Sequence, residues 1–393
     1  MTGHRSYVLG VLAAVAAIAL LAAGSADAIP AFSRKYQFSC STCHAPFPRL
    51  KPYGEEFAAR GFVLPADQEP PRATLDVGDP TLRLMRELPL AVRLDGSATW
   101  REGHQVATSD FELPWTFKLL SGGPISRSIS YYVYGIFEEG QSVKLEDAYV
   151  QFSSVFNLPV DLLVGQFQVC DPLFKRELRL EREDYQIFKT RVGLVNTNLT
   201  YDRGAVLVWT APGEVDIVAQ VINGNGINAM NNGSFDDNGY KNTSLRLARQ
   251  FGPLRLGVFS YLGRTASLPP SPSNRTTYLG PDIVADIGDR LQFNLQYLYR
   301  KDTHPYLGLR PIQNVDTRGG FAELIFLPQG PDGAWALAAL YNRVESDDDA
   351  ADYESAALSV SHLLARNFRL LGEVTRDLQG NRWRLTAGVV TAF

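Results

Sequence analysis

Near the N-terminus the chain reads Cys40-Ser41-Thr42-Cys43-His44. Two thiols three positions apart, followed at once by an imidazole, have the spacing of covalent haem attachment. Each thiol adds to one vinyl group of a single porphyrin, and the adjacent imidazole reaches the iron from the proximal side. Other uses of a C-x-x-C fit less well. Zinc needs further Cys or His ligands, and the remaining cysteine, Cys170, is distant in sequence. A thioredoxin-like motif needs a βαβ setting that is missing here. The pattern occurs once, so the sequence predicts one covalent haem c on Cys40 and Cys43, with His44 as proximal iron ligand.

The distal ligand is less defined. Past residue 28 the chain holds two methionines, Met85 and Met230, and three further histidines, His104, His304 and His362. Met85 is the nearest in sequence and the first candidate for distal iron ligand. His104 is the second, and the alternative for Met85 is plain apolar filler. Around the motif, Phe32, Phe38, Phe47, Leu50, Phe57 and Phe62 offer apolar walls for a porphyrin. Glu55 to Arg60 reads as one or two helical turns ended by Gly61. Residues 29–64 fall short of the roughly 40 at which a chain begins to hold a core unaided. Such a segment cannot enclose a haem, so shielding must come from the chain that follows.

That chain is exported. His4 and Arg5, the apolar run Val8 to Ala23 and the small residues Gly24-Ser25-Ala26-Asp27-Ala28 read as a signal peptide over 1–28, cleaved to start near Ile29. The apolar run is short for a membrane anchor, and no later stretch is long enough to cross a bilayer as a helix. A formal charge of −4 excludes a nucleic-acid partner. Three cysteines make a poor disulfide framework.

After a Pro-rich linker at 65–88, residues 89–393 change character. Leu291, Phe293, Leu295, Tyr297 and Tyr299 alternate with Gln292, Asn294, Gln296 and Arg300; Leu90, Val92, Leu94 and Trp100 alternate with Arg93, Asp95, Ser97 and Thr99. Trp383 to Phe393 behaves alike. A period of two marks strands with one apolar and one polar face. Repeated through an exported chain, it predicts an all-β domain of about sixteen antiparallel strands, a transmembrane outer-membrane β-barrel with apolar residues toward lipid. Strands are expected near 89–100, 111–120, 129–139, 143–155, 160–169, 200–211, 214–223, 240–251, 253–264, 275–287, 290–301, 316–328, 334–344, 353–365, 368–378 and 382–393. Tight turns such as Pro212-Gly213 and Arg366-Asn367 alternate with longer polar loops, the asymmetry of periplasmic and extracellular ends. Trp100, Trp209, Trp335, Tyr341 and Trp383 suit interfacial girdles, and the chain ends on Phe393.

Two loops stand out. The charged stretch from Cys170 to Arg191 folds into the pore or stays a solvated surface loop; the sequence leaves both open. Glu345, Asp347, Asp348, Asp349 and Asp352, with Asp236 and Asp237, either solubilise the outer face or gather cations. The Gly-x-Gly at Gly224-Asn225-Gly226 lacks the rest of a dinucleotide fingerprint, and no Ser-His-Asp, paired-carboxylate or P-loop pattern emerges.

The small α-helical monohaem cytochrome c segment joined to a sixteen-strand barrel resembles the fused cytochrome–porins of bacterial outer membranes. The likeness rests on Ala31-Phe32-x-Arg34-Lys35, Cys40-x-x-Cys43-His44 and Phe47-Pro48-x-Leu50-x-x-x-Gly54-x-x-Phe57. Over the barrel it is architectural. The resemblance implies a haem seated in the barrel mouth, oxidation of extracellular Fe(II) or another small reductant, and transfer to a periplasmic c-type cytochrome, making the protein a ferrous-iron oxidase of the lipid outer membrane. Two alternatives are a diffusion porin with a haem-bearing plug or sensor, and an outward conduit to extracellular acceptors.

Overall fold

The structure is a computed structural model that describes residues 31–64, 74–75, 77–79, 81–82, 84–86, 88–103, 108–138, 144–228, 230, 233–236, 238–267, 269–309 and 313–393. The expected signal peptide, most of the linker and His104 lie outside the described residues.

Residues 31–64 form three short helices, α1 (Ala31–Tyr36), α2 (Cys40–Cys43) and α3 (Pro52–Ala59). Proline at the first turn of α3 needs no intrahelical partner for its nitrogen, and Gly61, at φ 69°, turns the chain just past the helix end. A two-residue ladder follows, β1 (Thr74–Leu75) against β2 (Leu84–Met85).

The rest is one closed antiparallel barrel of sixteen strands. They are β3 (Leu90–Arg101), β4 (Ser109–Pro124), β5 (Ile129–Glu138), β6 (Lys144–Phe152), β7 (Val160–Gln168), β8 (Tyr201–Ala211), β9 (Val215–Ile222), β10 (Asn242–Phe251), β11 (Leu254–Thr265), β12 (Asn274–Ile287), β13 (Leu291–Asp302), β14 (Val315–Phe326), β15 (Trp335–Ser346), β16 (Tyr353–Ala365), β17 (Phe368–Asp377) and β18 (Arg382–Ala392). Each coincides within a few residues with a strand expected from the alternation. β18 closes on β3, in register from Arg384 opposite Arg101 to Ala392 opposite Arg93. Closure removes every sheet edge, so the ladder amides pair without water, which is what lets strands cross a bilayer.

The two faces separate as the pattern requires. Leu256, Val258, Leu262, Leu279, Leu324 and Leu358 stand exposed on the outside. Thr276, Asp282, Gln296, Asp302, Asn342 and Ser359 are buried inside. An apolar belt around the whole circumference is stable only in lipid, and the protein is a bacterial outer-membrane barrel. Trp100 and Trp383 lie at the rim with the long loops, Trp209 and Trp335 at the rim with the short turns. The short-turn rim also carries Phe393, paired with Val92, and is the periplasmic end by loop asymmetry.

One departure from apolar-out, polar-in matters for function. Phe259, Tyr261, Tyr278, Leu298, Phe321 and Leu340 point into the lumen and are at most 2% exposed. They pack against Val169, Cys170, Phe174, Tyr185, Phe188 and Leu199 of the loop joining β7 to β8. That loop folds inward, carrying a fourth helix, α4 (Gln186–Lys189).

Candidate functional site

Helix α2 is a single turn, capped by the Ser39 hydroxyl accepting from the Ser41 amide at 3.4 Å, and one turn places Cys40 and Cys43 on the same side. The His44 amide closes the turn on the Cys40 carbonyl at 2.9 Å, and His44 itself leaves in extended conformation. Its Nδ1 lies 3.0 Å from the Pro48 carbonyl and 3.3 Å from that of Arg49. Carbonyls only accept, so Nδ1 carries the hydrogen and Nε2 keeps a bare lone pair. Burial pulls the imidazole below its usual range, favouring the neutral form a metal takes. Burial and neighbouring Cys40 push the Cys43 thiol up, against the pull of Lys51. All three cysteines are free thiols, and Cys170 is fully buried in the inward loop.

The turn between His44 and α3 is held tightly: the Ala45 amide donates to Arg49 O at 2.9 Å and the Lys51 amide to Cys43 O at 2.7 Å. α3 crosses α2 at Gly54, where an added Cβ would lie 2.5 Å from the Cys43 carbonyl oxygen.

The segment is docked on the periplasmic rim of the barrel. Gln151 Nε2 of β6 donates to Ala59 O at 2.7 Å, Lys51 Nζ pairs with Asp332 at 2.6 Å, and the Arg34 guanidinium donates to Leu90 O. Phe62 stacks on Tyr132 of β5 with ring centroids 5.1 Å apart. Between segment and barrel lies an open cavity of about 1090 Å³, just above the roughly 300–1,000 Å³ of small-ligand and cofactor pockets. Cys40, Cys43 and His44 line it, together with all six apolar residues proposed from sequence, Phe32, Phe38, Phe47, Leu50, Phe57 and Phe62. The barrel contributes Tyr132, Tyr149, Val206 and Val284, and the inward loop contributes Leu173, Phe174 and Tyr185. Two free thiols on one turn, an imidazole with a bare Nε2 and an aromatic-walled space fit a covalently attached haem.

The inward loop, residues 169–200, roofs this cavity and spans the lumen. Arg182 Nη2 reaches Glu112 of β4 at 2.6 Å, and the Arg182 amide reaches Glu373 of β17 at 2.7 Å. Leu180 O accepts from Arg369 of β17 at 2.8 Å, and Thr190 O from Arg300 of β13 at 2.9 Å. The Tyr185 hydroxyl donates to Glu323 of β14 at 2.6 Å. These partners lie along one half of the wall, from β13 and β14 through β17 to β4. Burial pushes the Glu177 carboxyl up, but Lys118, Arg176, Arg179 and Arg93 overcome that and hold it well below its ordinary range. The dense charge that left this loop's place open is thus matched by lumen charge, and its apolar residues by the lumen core.

Several acidic residues of the outer loops are fasteners. Glu345 pairs with Arg318 at 3.0 Å; Asp347, Asp348 and Asp352 accept from the amides of Asp316, Gly193 and Ser346 at 3.0, 2.8 and 2.7 Å. Asp348 ties the inward loop to the loop after β15. Asp236 accepts from the Asn238 amide at 3.0 Å, while Asp237 lies outside the described residues. Among the described residues no group of three or more His, Cys, Asp or Glu is placed to hold a metal ion.

Of the distal candidates, Met85 has its backbone on β2, and its side chain is outside the described part. His362 lies on β16 at an outward-facing position, its ring 4.2 Å from that of Trp335, and cannot reach the cavity. His304 follows β13 at the extracellular end, whereas the cavity lining on that strand reaches no farther than Asn294. Roughly 25–30 Å of strand separates the two.

No protein-family profile and no curated protein matches this chain. Solved structures do. The loop L8 deletion mutant of OmpT, an outer membrane protein of Vibrio cholerae, aligns with a TM-score of 0.55 at 11% identity over 78% of this chain and 99% of that one. The anion-selective porin from Comamonas acidovorans gives 0.56 at 12% over 78% and 99%. The outer membrane channel DcaP of Acinetobacter baumannii gives 0.57 at 10% over 78% and 97%. At these identities the likeness is one of architecture: this chain has the fold of the bacterial outer-membrane porins, with a small helical segment seated on the barrel.

Proposed function

We propose that this is an outer-membrane electron-transfer protein that takes electrons from a small extracellular reductant, Fe(II) foremost, and passes them to a periplasmic c-type cytochrome. The observation that carries the reading is the shared cavity, onto which Cys40, Cys43 and His44 open and which neither the helical segment nor the barrel encloses alone. When bound there, a haem c supplies reversible one-electron chemistry at a potential tuned by ligation, burial and hydrogen bonding. The chain's own residues do the rest. Cys40 and Cys43 offer two thioether links, and the carbonyls of Pro48 and Arg49 aim the bare Nε2 of His44. The aromatic wall and the loop roof keep water and solutes away. For the distal position we propose Met85, whose backbone lies between the helical segment and β3. One-electron transfer breaks no bond, so no general acid, base or nucleophile is required. A porin alone passes solutes, and a periplasmic cytochrome alone cannot meet a donor outside the cell; joining them places one redox centre within an insulating membrane.

A second reading, a diffusion porin with a haem-bearing plug, draws on the likeness to porins such as the anion-selective one. Haem staining of the purified protein, before and after replacing Cys40 and Cys43 together by Ala, tests the first. Staining present in the parent and lost in the double variant supports it; staining indifferent to both thiols sinks it. A large, steady single-channel conductance in planar bilayers would favour the second.

A further inference from the structure

Among the described residues, eight cationic side chains line the cavity, and seven have a carboxylate within ion-pair reach. Lys51 has Asp332, Arg93 has Asp95, Lys175 has Asp171, Arg179 has Asp184, Arg246 has Asp282, Arg255 has Asp216 and Arg290 has Asp289, at distances from 2.5 to 3.8 Å. Arg49 is the exception. Among the described residues its guanidinium meets no carboxylate at that range, and its Nη1 donates to the backbone carbonyl of Ala45 at 3.0 Å.

Arginine does not shed its proton, and a guanidinium withdrawn from water without an anion is costly. Desolvation indeed weakens its hold on the proton, with Asp286, Glu323 and Glu55 acting only from beyond ion-pair range. Its placement is also constrained. The Arg49 carbonyl accepts from His44 Nδ1, and its side chain folds back to Ala45, so both ends of the residue brace the turn that carries the proximal imidazole. A planar fork of donors facing a cavity matches a carboxylate. A haem c attached through its vinyl groups retains two propionate carboxylates.

We propose that Arg49 is a positioning residue for the porphyrin, its guanidinium pairing with one propionate inside the cavity. This rests on the reading that Cys40, Cys43 and His44 hold a haem c. The pair would fix the ring's rotation relative to the Cys40–Cys43 edge, and the positive charge would favour the reduced state.

The test uses the full chain, haem-loaded as expressed, with Arg49→Leu, Arg49→Lys and, as control, Arg60→Leu on the outer side of the same segment, where Arg60 pairs with Glu56 at 2.5 Å. Covalent haem is read by pyridine haemochrome, propionate bonding by the resonance Raman propionate bands, and midpoint potential by titration. Covalent haem should persist in all. Arg49→Leu should shift the propionate bands and lower the potential; Arg49→Lys, keeping charge but not the fork, should shift the bands with a smaller fall in potential. Arg60→Leu should match the parent. Bands and potential in Arg49→Leu that superimpose on the parent overturn this inference alone. A parent without covalent haem overturns it together with the reading beneath it. If Arg49→Leu yields no folded barrel, Arg49→Lys decides, and unshifted bands there overturn the proposal.

Discussion

Gly54→Ala puts two opposing effects in one residue. Inside a helix, Ala is favoured over Gly by about 0.8–1 kcal/mol. Here the added Cβ would lie 2.5 Å from Cys43 O, 3.0 Å from Leu50 Cδ2 and 3.1 Å from Cys43 Cα. Carbon contacts are comfortable at about 3.5–4.0 Å, so the overlap approaches 1 Å. Leu50 can rotate; the Cys43 backbone cannot, because α2 and the turn behind it are held by hydrogen bonds from His44, Ala45 and Lys51. α3 must therefore back away. Overpacking of this kind costs about 1–3 kcal/mol, which exceeds the propensity gain and leaves a net loss of up to about 2 kcal/mol, equivalent to more than tenfold in the opening of the segment. Hydrogen exchange of residues 40–60 should accelerate accordingly, while the barrel amides stay protected. Gly372→Ala is the control, since a Cβ there meets nothing within 4 Å. Exchange that slows in Gly54→Ala would mean that helix propensity has won, and that the close crossing of α2 and α3 is not what the glycine serves.

Two further outcomes are expected. With Met85 as distal ligand the oxidised protein should show a sulfur–iron charge-transfer band that disappears in Met85→Ala, with a fall in potential; a bis-imidazole spectrum would instead direct attention to His104. Glu181, 5% exposed and without an ion-pair partner among the described residues, is raised well above the ordinary range by burial and by Glu323 and Glu373. The stability tied to its proton is complete below the unfolded value, about 4.3, and is lost as pH rises toward the folded one. Glu181→Gln should therefore melt higher than the parent at pH 8 and equally at pH 4, checked by thermal scans; equal curves at pH 8 would contradict the buried placement.

The barrel was legible because its strands obey a rule with a physical cause. Lipid outside and polar lumen inside impose a period of two, and a closed ladder admits few lengths or turns, so Leu291 to Tyr299 could be assigned a face from sequence. The residues of the proposed haem site stand out for a different reason: a thiol and imidazole spacing of this kind is what a porphyrin would dictate, not the fold. The inward loop was not legible from its own charge. Its signal lay elsewhere, in Leu298, Phe321, Phe259 and Tyr261, apolar residues in the parity of the polar face. A lumen that needs apolar residues has something apolar to cover. The roles of the acidic outer loops were only partly legible, because sequence does not show which carboxylates also accept backbone amides, as Asp347, Asp348 and Asp352 do. Docking of the helical segment through Gln151, Lys51 and Phe62 joins residues tens to hundreds of positions apart, and no local pattern encodes that.

The central claim is most directly tested by mixing the purified, oxidised protein with Fe(II) in a stopped-flow spectrometer, after a redox titration has fixed its midpoint potential. A c-type spectrum that becomes reduced as Fe(II) is consumed is expected, with reoxidation when a periplasmic c-type cytochrome is added. Absence of a haem spectrum, or no reduction over minutes at a potential above that of the iron couple, would contradict it, and rapid reoxidation of the reduced protein by ferric species would reverse the direction proposed for the electron.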